Sequence, residues 1–363
     1  MNRGARILID AREFVPGRMT GIGRMLAGFV DALAESDWVE RITLATGQEA
    51  VPAHLQRDPV FPVRLPESFI GAEWTLSRLT RGACDLFISP YPKLPLFGVH
   101  CPSVHTIHDV LDLKAPGRRS RRKAWVDQNR LKLTLRRSDM TWYDSRWSLN
   151  ETEALIGFKG RDPRVRPLGI DGRFTDAAQQ ADEAVLKKYG LDRGYLLTVG
   201  NGLPHKNIGL LLQIAERTDR VPVFVGVPMK NRRFWKGFDR TQRARWIETA
   251  HDEEMPVLLR QAFCLSQPSL AEGYGYPPLE AMACGTPAVV SDIPVLVETT
   301  GGNALVADPR DGGGWIAAYR RLENRDAYRA QVEKGLRWVA PLRGRAGWAR
   351  HVEDIAELVE RGR

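Results

Sequence analysis

The sequence predicts an α/β fold made of two doubly wound halves, each a parallel sheet covered by crossover helices. Short apolar runs alternate with amphipathic segments of helical length along the chain, which is the pattern of βαβ units. The polar stretch 176–183 divides this alternation into two series, and we interpret it as the linker side of a domain boundary. A length of 363 residues agrees with two or three domains of ordinary size.

The first series of elements precedes residue 145. Its strands are short apolar runs, expected at 7–11, 42–46, 86–89, 104–108 and 141–144. The spacing of apolar residues between these runs predicts helices at 22–35, 67–80 and 120–137.

The second series follows the polar stretch. Its strands are expected at 195–200, 221–227, 264–267, 288–291 and 304–306. Its helices are expected at 207–216, 255–262, 276–283, 313–322, 327–339 and 348–360. Apolar residues of the last helix recur at spacings of three and four, which predicts one buried stripe formed by Trp348, Val352, Ile355 and Val359.

Composition and charge restrict the class of protein. With 43% hydrophobic residues the chain has material for real cores, which excludes disorder as its main state. The 53 Lys and Arg against 44 Asp and Glu give a net charge of +9, which favours a phosphate-bearing or otherwise anionic partner. Two segments concentrate this charge. Residues 118–137 hold nine bases against one acid, and residues 229–245 hold seven bases against one acid.

The cysteines and the apolar runs argue for a cytosolic protein. Cys84, Cys101, Cys264 and Cys284 have no CxxC or paired spacing, so neither a disulfide framework nor a structural zinc site is expected. The N-terminus returns to charge after three apolar residues, too soon for a signal peptide, and no run reaches the length of a membrane span.

The most informative segment, 268–280, follows a predicted strand and leads into a predicted helix. Gly273 and Gly275 allow a ligand to approach the backbone, and the helix start presents unpaired N–H groups. Glu272 precedes the helix and Glu280 lies about one turn inside it, so both carboxylates could accept hydrogen bonds from the hydroxyls of a sugar or a ribose. The alternative is that Glu280 is a solvated helix residue and Glu272 a helix cap.

These residues carry a resemblance to a known family. The Glu272-x7-Glu280 pair within EGYGYPPLEAMACGTPAVVSD resembles the signature of family 4 retaining glycosyltransferases, of the bacterial mannosyltransferase type that assembles polysaccharides. Further landmarks of that family follow in order through most of the chain, at 8–12, 20–24, 89–91, 106–109, 169–174, 199–200 and 204–207.

The resemblance implies the GT-B fold, in which two Rossmann-like doubly wound domains face an interdomain cleft. The implied domains are an acceptor-side domain at 1–172, a nucleotide-sugar-binding domain at 173–344, and a C-terminal helix at 345–363 that crosses back to the first domain.

The resemblance also implies site residues. The catalytic residues would be His108, Lys206 and Glu272. Lys206 would neutralise the leaving diphosphate, His108 would reach the donor sugar, and Glu272 would contact its hydroxyls. For His108 the alternative is a satisfied core histidine. The donor-binding residues would be Gly21, Gly23, Asn201, Lys206, Gly273, Tyr274, Gly275 and Glu280. Asn201 and His205 stand where many relatives carry arginine.

The implied activity is transfer of a hexose, with mannose favoured, from a nucleotide-diphosphate sugar to a lipid-linked saccharide with retention of configuration. A GDP-sugar is favoured over a UDP-sugar. The sugar nucleotide is a co-substrate, and no further cofactor is expected. The chain has no Asp-x-Asp, so no bound metal is indicated.

The first basic segment is expected to contact an anionic membrane surface and the acceptor, which would place the enzyme on the cytoplasmic face of the cell membrane. The contact residues would be Arg118, Arg119, Arg121, Arg122, Lys123 and Trp125. The second basic segment interleaves Phe234, Trp235 and Phe238 with its bases. It could contact a nucleotide base, the acceptor or a second membrane patch.

Two other classes of protein remain as alternatives: another GT-B enzyme such as a nucleotide-sugar epimerase, and a nucleic-acid-binding module. No nucleic acid is expected as partner of the favoured enzyme. A dinucleotide-dependent oxidoreductase is disfavoured, because Leu26 follows Gly21 and Gly23 where the Rossmann fingerprint needs a third glycine.

Overall fold

The computed structural model of the chain describes residues 4–15, 20–47, 51–114, 121–178 and 182–362. The chain divides into two units. Unit 1 consists of Met1–Asp171 and Gly344–Arg363, and unit 2 consists of Gly172–Arg343.

The strands and helices alternate through both units. Strands β1 to β13 are Ala5–Asp10, Val39–Thr46, Val60–Arg64, Leu86–Ser89, Ser103–Ile107, Met140–Tyr143, Pro163–Val165, Leu196–Val199, Pro222–Val225, Arg245–Ile247, Cys264–Gln267, Ala288–Ser291 and Leu305–Ala307. Helices α1 to α14 are Gly21–Ala34, Phe69–Leu79, Leu111–Lys114, Arg121–Arg137, Arg146–Ile156, Asp182–Tyr189, Ile208–Ile214, Met229–Lys236, Met255–Arg260, Tyr276–Ala283, Pro294–Thr299, Gly312–Glu323, Arg325–Val339 and Ala349–Gly362.

Each unit is built on one parallel sheet. In unit 1 the strand order is β3-β2-β1-β4-β5-β6-β7, and in unit 2 it is β10-β9-β8-β11-β12-β13. Among the described residues, every pair of neighbouring strands in these two orders is parallel. In each sheet the direction in which successive strands are added reverses once, between β1 and β4 in unit 1 and between β8 and β11 in unit 2. This is the doubly wound topology that the alternation predicts. The predicted fold class of two Rossmann-like units is confirmed.

Central strands match the predictions best. Strands β4, β11 and β12 and helix α10 begin and end where the sequence places them. These strands are buried at every position, so they stand out in the sequence as continuous apolar runs. Three edge strands were not predicted: β3, β7 and β10. The three residues of β10 include an exposed Arg245, which leaves no apolar run to detect.

The polar stretch 176–183, predicted as the linker side of a domain boundary, lies within unit 2, which begins at Gly172. Helix α6 begins at Asp182, which is 3% exposed. Its carboxylate accepts hydrogen bonds from Arg260 at 2.6 and 3.0 Å and from Gln261 at 2.7 Å. Asp182 is therefore polar because it forms a buried ion pair, whereas residues 176–178 and Glu183 are exposed.

The C-terminal segment packs within unit 1. The indole of Trp348 is 2% exposed, and a Cβ added at Gly28 or Gly169 would lie 2.8 or 2.5 Å from it. The Asp354 carboxylate of α14 accepts hydrogen bonds from Trp142 Nε1 at 2.8 Å and from Arg166 at 2.7 Å. Helix α14 is therefore held by one apolar anchor and one buried charge.

We expect Asp354→Ala to lower the free energy of unfolding of unit 1 by about 3 kcal/mol, because it leaves Arg166 without its buried partner. Burial raises the pKa of Asp354, but the Arg166 and Arg164 guanidiniums outweigh this effect and lower it. Its contribution to stability is therefore present above the ordinary pKa of Asp and lost as the pH falls below it. Urea unfolding followed by tryptophan fluorescence measures both effects. Glu353→Ala, at an exposed neighbour, is the matched control, and equal losses would contradict the prediction.

Candidate functional site

The site in unit 2 begins at its topological switch point. Strands β8 and β11 are neighbours, and the chain leaves them in opposite directions across the sheet. Their carboxyl ends continue into the loops 200–207 and 268–275. Ligands of open α/β sheets bind at such a point, because the two loops separate there and leave a crevice.

Asn207 joins the two loops. It has a left-handed backbone conformation, with φ of 52°, and ends the short 3₁₀ turn Pro204–Lys206. Its side-chain amide donates to the carbonyls of Pro268 at 3.0 Å and Pro309 at 2.8 Å. The Leu270 N–H donates to the His205 carbonyl at 2.7 Å. These bonds hold the turn that carries Lys206 against the loop that carries Glu272.

Lys206 and Glu272 form the central contact of the site. Lys206 Nζ lies 2.8 Å from both carboxylate oxygens of Glu272. Glu272 is 8% exposed, and its Oε1 also accepts hydrogen bonds from Ser269 Oγ at 2.6 Å and from the side-chain amide of Gln267. The carboxylate is thus fixed by one ammonium and two neutral donors, all from the ends of β8 and β11.

The start of α10 completes this part of unit 2. Gly275 has φ of 91°, and a Cβ there would lie 2.5 Å from Leu296 Cδ2. Glycine is therefore required by the fold itself, in addition to any ligand. Tyr274 and Glu280 are buried, with 6% and 2% exposure, and the rings of Tyr274 and Tyr276 meet edge to face at 5.4 Å. A solvated Glu280, the alternative considered from sequence, is excluded.

Asn201 follows β8 and is exposed. Its side chain accepts a hydrogen bond from the Leu203 N–H at 3.1 Å, and its carbonyl accepts one from Asn231 Nδ2 at 2.7 Å. Asn201 therefore shapes the loop that leads to Lys206.

In unit 1, Gly21 and Gly23 form the first turn of α1. Thr20 caps this helix, since its hydroxyl accepts a hydrogen bond from the Gly23 N–H at 3.0 Å. A Cβ at Gly21 would meet no atom within 4 Å, so this glycine leaves open space beside the helix start.

His108 follows β5 and is held on both ring nitrogens. Nδ1 lies 2.6 Å from Asp144 Oδ2, and Nε2 lies 3.0 Å from the Pro90 carbonyl oxygen. Burial lowers the pKa of His108, but the charge and hydrogen bond of Asp144 outweigh it and raise the pKa above the ordinary value. Both partners are acceptors, which favours the imidazolium form. The geometry thus fits a positively charged, fixed ring better than a mobile proton carrier.

The predicted membrane residues lie partly within the described chain. Arg118 and Arg119 lie outside the described residues, and Arg121 begins α4. Arg122, Lys123 and Trp125 are exposed on that helix, Trp125 to 67%.

Three positioning residues were missed by sequence reasoning: Asp144 beside His108, and Gln267 and Ser269 beside Glu272. Asp144 follows β6, which is the neighbour of the strand β5 that precedes His108. Gln267 is the last residue of β11, and Ser269 lies in the loop after β11 that also carries Glu272. Polar residues directly after an apolar run were the available signal.

Among the residues that the structure describes, no cluster of His, Cys, Asp or Glu is suited to hold a metal ion. No helix in the same residues is long and apolar enough to cross a membrane.

We expect Lys206→Met to lower the free energy of unfolding by about 2 kcal/mol. Removing one partner of a fully buried ion pair costs about 3–5 kcal/mol. The expected loss is smaller here because the Lys206 side chain is 18% exposed. Adding Glu272→Gln to this variant should restore part of the loss, since it removes the unpaired buried charge. A double-mutant cycle by urea unfolding measures the coupling, and additive losses would contradict the geometry.

Part of the chain is similar to known proteins. Residues 182–337 match the family described as glycosyl transferases group 1. The chain is 30% identical over 220 residues to the O-antigen chain mannosyltransferase B of Escherichia coli, which covers 58% of each chain. It is 31% identical over 142 residues to the O-antigen chain mannosyltransferase RfbU of Salmonella typhimurium, which covers 36% of this chain and 38% of that protein. The chain thus spans less than two thirds of the length of these relatives.

The fold is similar to that of sucrose-phosphate synthase from Thermosynechococcus elongatus. The TM-score is 0.79 at 18% identity over 99% of both chains, a likeness of fold alone. It agrees with the GT-B fold class that the sequence predicts. Lys206, Glu272 and Glu280 all lie within the region that matches the group 1 glycosyl transferases.

Proposed function

We propose that this protein is a retaining, metal-independent glycosyltransferase that moves mannose from GDP-mannose to a lipid-linked saccharide. The observation that carries the proposal is the Lys206–Glu272 pair at the switch point of unit 2, inside the region that matches the group 1 glycosyl transferases. The choice of mannose is supported by the similarity to the two O-antigen chain mannosyltransferases.

The pair supplies two chemical functions that glycosyl transfer needs. An ammonium carries three N–H groups, and the two contacts to Glu272 leave one for an oxygen of the departing diphosphate. Glu272 offers carboxylate lone pairs to the hydroxyls of the donor sugar, because only Oε1 is occupied by neutral donors. Glu280 would accept the ribose hydroxyls in the same unit.

The reaction would proceed at one face of the sugar. The bond between the anomeric carbon and the diphosphate oxygen breaks, and the acceptor oxygen bonds to that carbon from the same side. The acceptor proton goes to the diphosphate, which keeps the electron pair of the broken bond. Lys206 and the N–H groups at the start of α10 stabilise the charge that develops on the diphosphate.

The surface of unit 1 supports a membrane-bound acceptor. Helix α4 exposes Trp125, Val126 and Leu133 together with the bases Arg122 and Lys123. An amphipathic helix of this kind lies at the boundary between lipid headgroups and acyl chains.

Helix α2 adds apolar surface beside α4. Arg130 of α4 lies 3.7 Å from Glu73 of α2, so the two helices are neighbours. Helix α2 exposes Phe69, Ile70 and Trp74, each to more than half of its area. This combined surface would place the enzyme on the cytoplasmic face of the cell membrane, where a lipid-linked saccharide is available.

We expect the purified protein to transfer labelled mannose from GDP-mannose to a lipid-linked saccharide acceptor. Lys206→Met should lower kcat at least about a hundredfold, because Lys206 stabilises the charge that develops on the diphosphate. Glu272→Gln should lower it by at least about the same factor, because Glu272 both holds Lys206 and orients the donor sugar. Lys187→Met, at an exposed lysine of the same unit, is the matched control.

A thermal-shift series with GDP-, UDP- and dTDP-sugars identifies the nucleotide base of the donor, because the sugar nucleotide that binds most tightly raises the melting temperature most.

Proton NMR of the product should show the anomeric configuration of the donor. An inverted linkage would refute retention. Isomerised sugar nucleotide without transfer would instead indicate an epimerase.

We expect the protein to float with vesicles that contain phosphatidylglycerol. The double variant Arg122→Glu, Lys123→Glu should bind these vesicles at least about tenfold more weakly, because each base near an anionic surface contributes about 1 kcal/mol to binding. Arg161→Glu with Arg350→Glu changes the net charge equally at exposed positions of unit 1 outside this face. If both pairs lowered binding equally, the effect would be one of net charge and not of α4.

A further inference from the structure

The second basic segment, residues 229–245, is divided by the fold into a buried and an exposed part. Trp235 of α8 is 8% exposed, and its Nε1 donates to the Gly202 carbonyl at 2.7 Å. A Cβ at Gly209 would lie 2.9 Å from its ring, so the indole fills the core of unit 2. Trp235 is therefore an anchor of the helix and is not available to a ligand.

Two further bonds fix the orientation of α8. Asn231 Nδ2 donates to the Asn201 carbonyl at 2.7 Å, and the Met229 N–H donates to Glu248 Oε1 at 3.1 Å. Trp235 and Asn231 face the unit, and Arg232 is half-buried with its guanidinium 6.0 Å from the Trp246 ring centroid. Lys230, Arg233, Phe234 and Lys236 are exposed.

The solvent side of this segment carries exposed aromatic rings. Phe234 is 60% exposed and Phe238 is 41% exposed, and their ring centroids lie 5.4 Å apart. Both rings pack against the edge of Trp235, at 4.9 and 5.6 Å. They form a small apolar wedge that the rest of unit 2 leaves uncovered.

The same segment carries exposed bases without ion-pair partners. On α8 and the turn that follows it these bases are Lys230, Arg233, Lys236 and Arg240. Among the described residues none of these four forms an ion pair within 4 Å. The carboxylate of Asp239 accepts hydrogen bonds from Thr241 Oγ1 at 2.9 Å and the Ala244 N–H at 3.2 Å, so it serves its own turn.

This concentration of charge costs stability in the isolated unit. Lys230, Arg233 and Lys236 are spaced at i, i+3 on one helix, where like charges repel. Exposed rings add a second cost, because their apolar area remains in water. An anionic, partly apolar partner would reduce both costs.

We propose that the exposed face of α8 and its following turn, Phe234 and Phe238 with the four exposed bases, is a second docking surface for an anionic lipid bilayer. Phenylalanine rings enter the boundary between headgroups and acyl chains, and long basic side chains reach the lipid phosphates around them. The inference goes beyond the proposed function, since it concerns unit 2 and does not require glycosyl transfer.

A lipid surface fits the ring geometry better than a single-stranded nucleic acid. Successive bases need flat, accessible ring faces on which to stack. Here Phe234 meets Trp235 at 80° and Phe238 at 48°, so the rings form a wedge with no pair of parallel faces.

The test is flotation of the full chain with vesicles of phosphatidylglycerol and phosphatidylcholine, compared with phosphatidylcholine alone. It is done in the wild type and in the Arg122→Glu, Lys123→Glu background, which separates the contribution of α8 from that of α4. Two variants address the proposed face: Phe234→Ser with Phe238→Ser, and Lys236→Glu with Arg240→Glu. Arg320→Glu with Arg329→Glu is the charge-matched control at exposed positions of unit 2.

We expect both α8 variants to bind the anionic vesicles at least about tenfold more weakly, the control to bind as its parent, and none to bind pure phosphatidylcholine. Because the charge variant keeps both rings that pack on Trp235, it remains informative if the phenylalanine variant unfolds in circular dichroism. Hydrolysis of GDP-mannose in solution, where present, should be the same in all of them.

Three results would overturn the proposal. One is that both α8 variants bind anionic vesicles as tightly as the wild type does. Another is that the wild type does not bind these vesicles. The third is tight binding of single-stranded RNA that the α8 variants lose while vesicle binding is unchanged.

Discussion

The buried carboxylate of Glu272 is the constraint on which the arrangement of unit 2 depends. A carboxylate that is 8% exposed needs compensation, and it receives an ammonium from the end of one strand and two neutral donors from the end of the next. To bring Lys206 that close, the loop after β8 must be tied to the loop after β11, which is the role of Asn207. Charge compensation therefore dictates the local backbone at the switch point.

Unit 1 follows the same principle with different groups. At the carboxyl end of β5 the ring of His108 is held between the Asp144 carboxylate and the Pro90 carbonyl, and its pKa is raised. Near the end of β1, Arg12 is held by Asp10 at 2.6 Å and Glu73 at 2.9 Å. Both sheets thus collect charged groups at one end and compensate them by pairing, which leaves fixed rather than mobile charges there.

Two surface helices show another arrangement, in which bases lie beside exposed aromatic rings. Helices α4 and α8 both combine exposed aromatic side chains with bases, yet they differ in how they are anchored. Helix α4 is held by apolar residues such as Leu131 and Leu135 in a core cluster, whereas α8 is held by Trp235. In each case the buried anchor determines which face of the helix meets solvent.

The sequence by itself determined the two parallel sheets, the central strands and the Glu272-x7-Glu280 segment, because buried parallel strands leave continuous apolar runs and glycines mark the turn that follows them. Only the tertiary structure decided that Lys206 reaches Glu272, that Asp144 holds His108, and that Asp182 is buried. Those partners are 66, 36 and 78 residues apart, and sheet order, which sequence spacing does not encode, brings them together. The three aromatics of the second basic segment look alike in the sequence. Packing alone assigned Trp235 to the core and Phe234 and Phe238 to the surface, since a short helix can bury only the face that its neighbours cover.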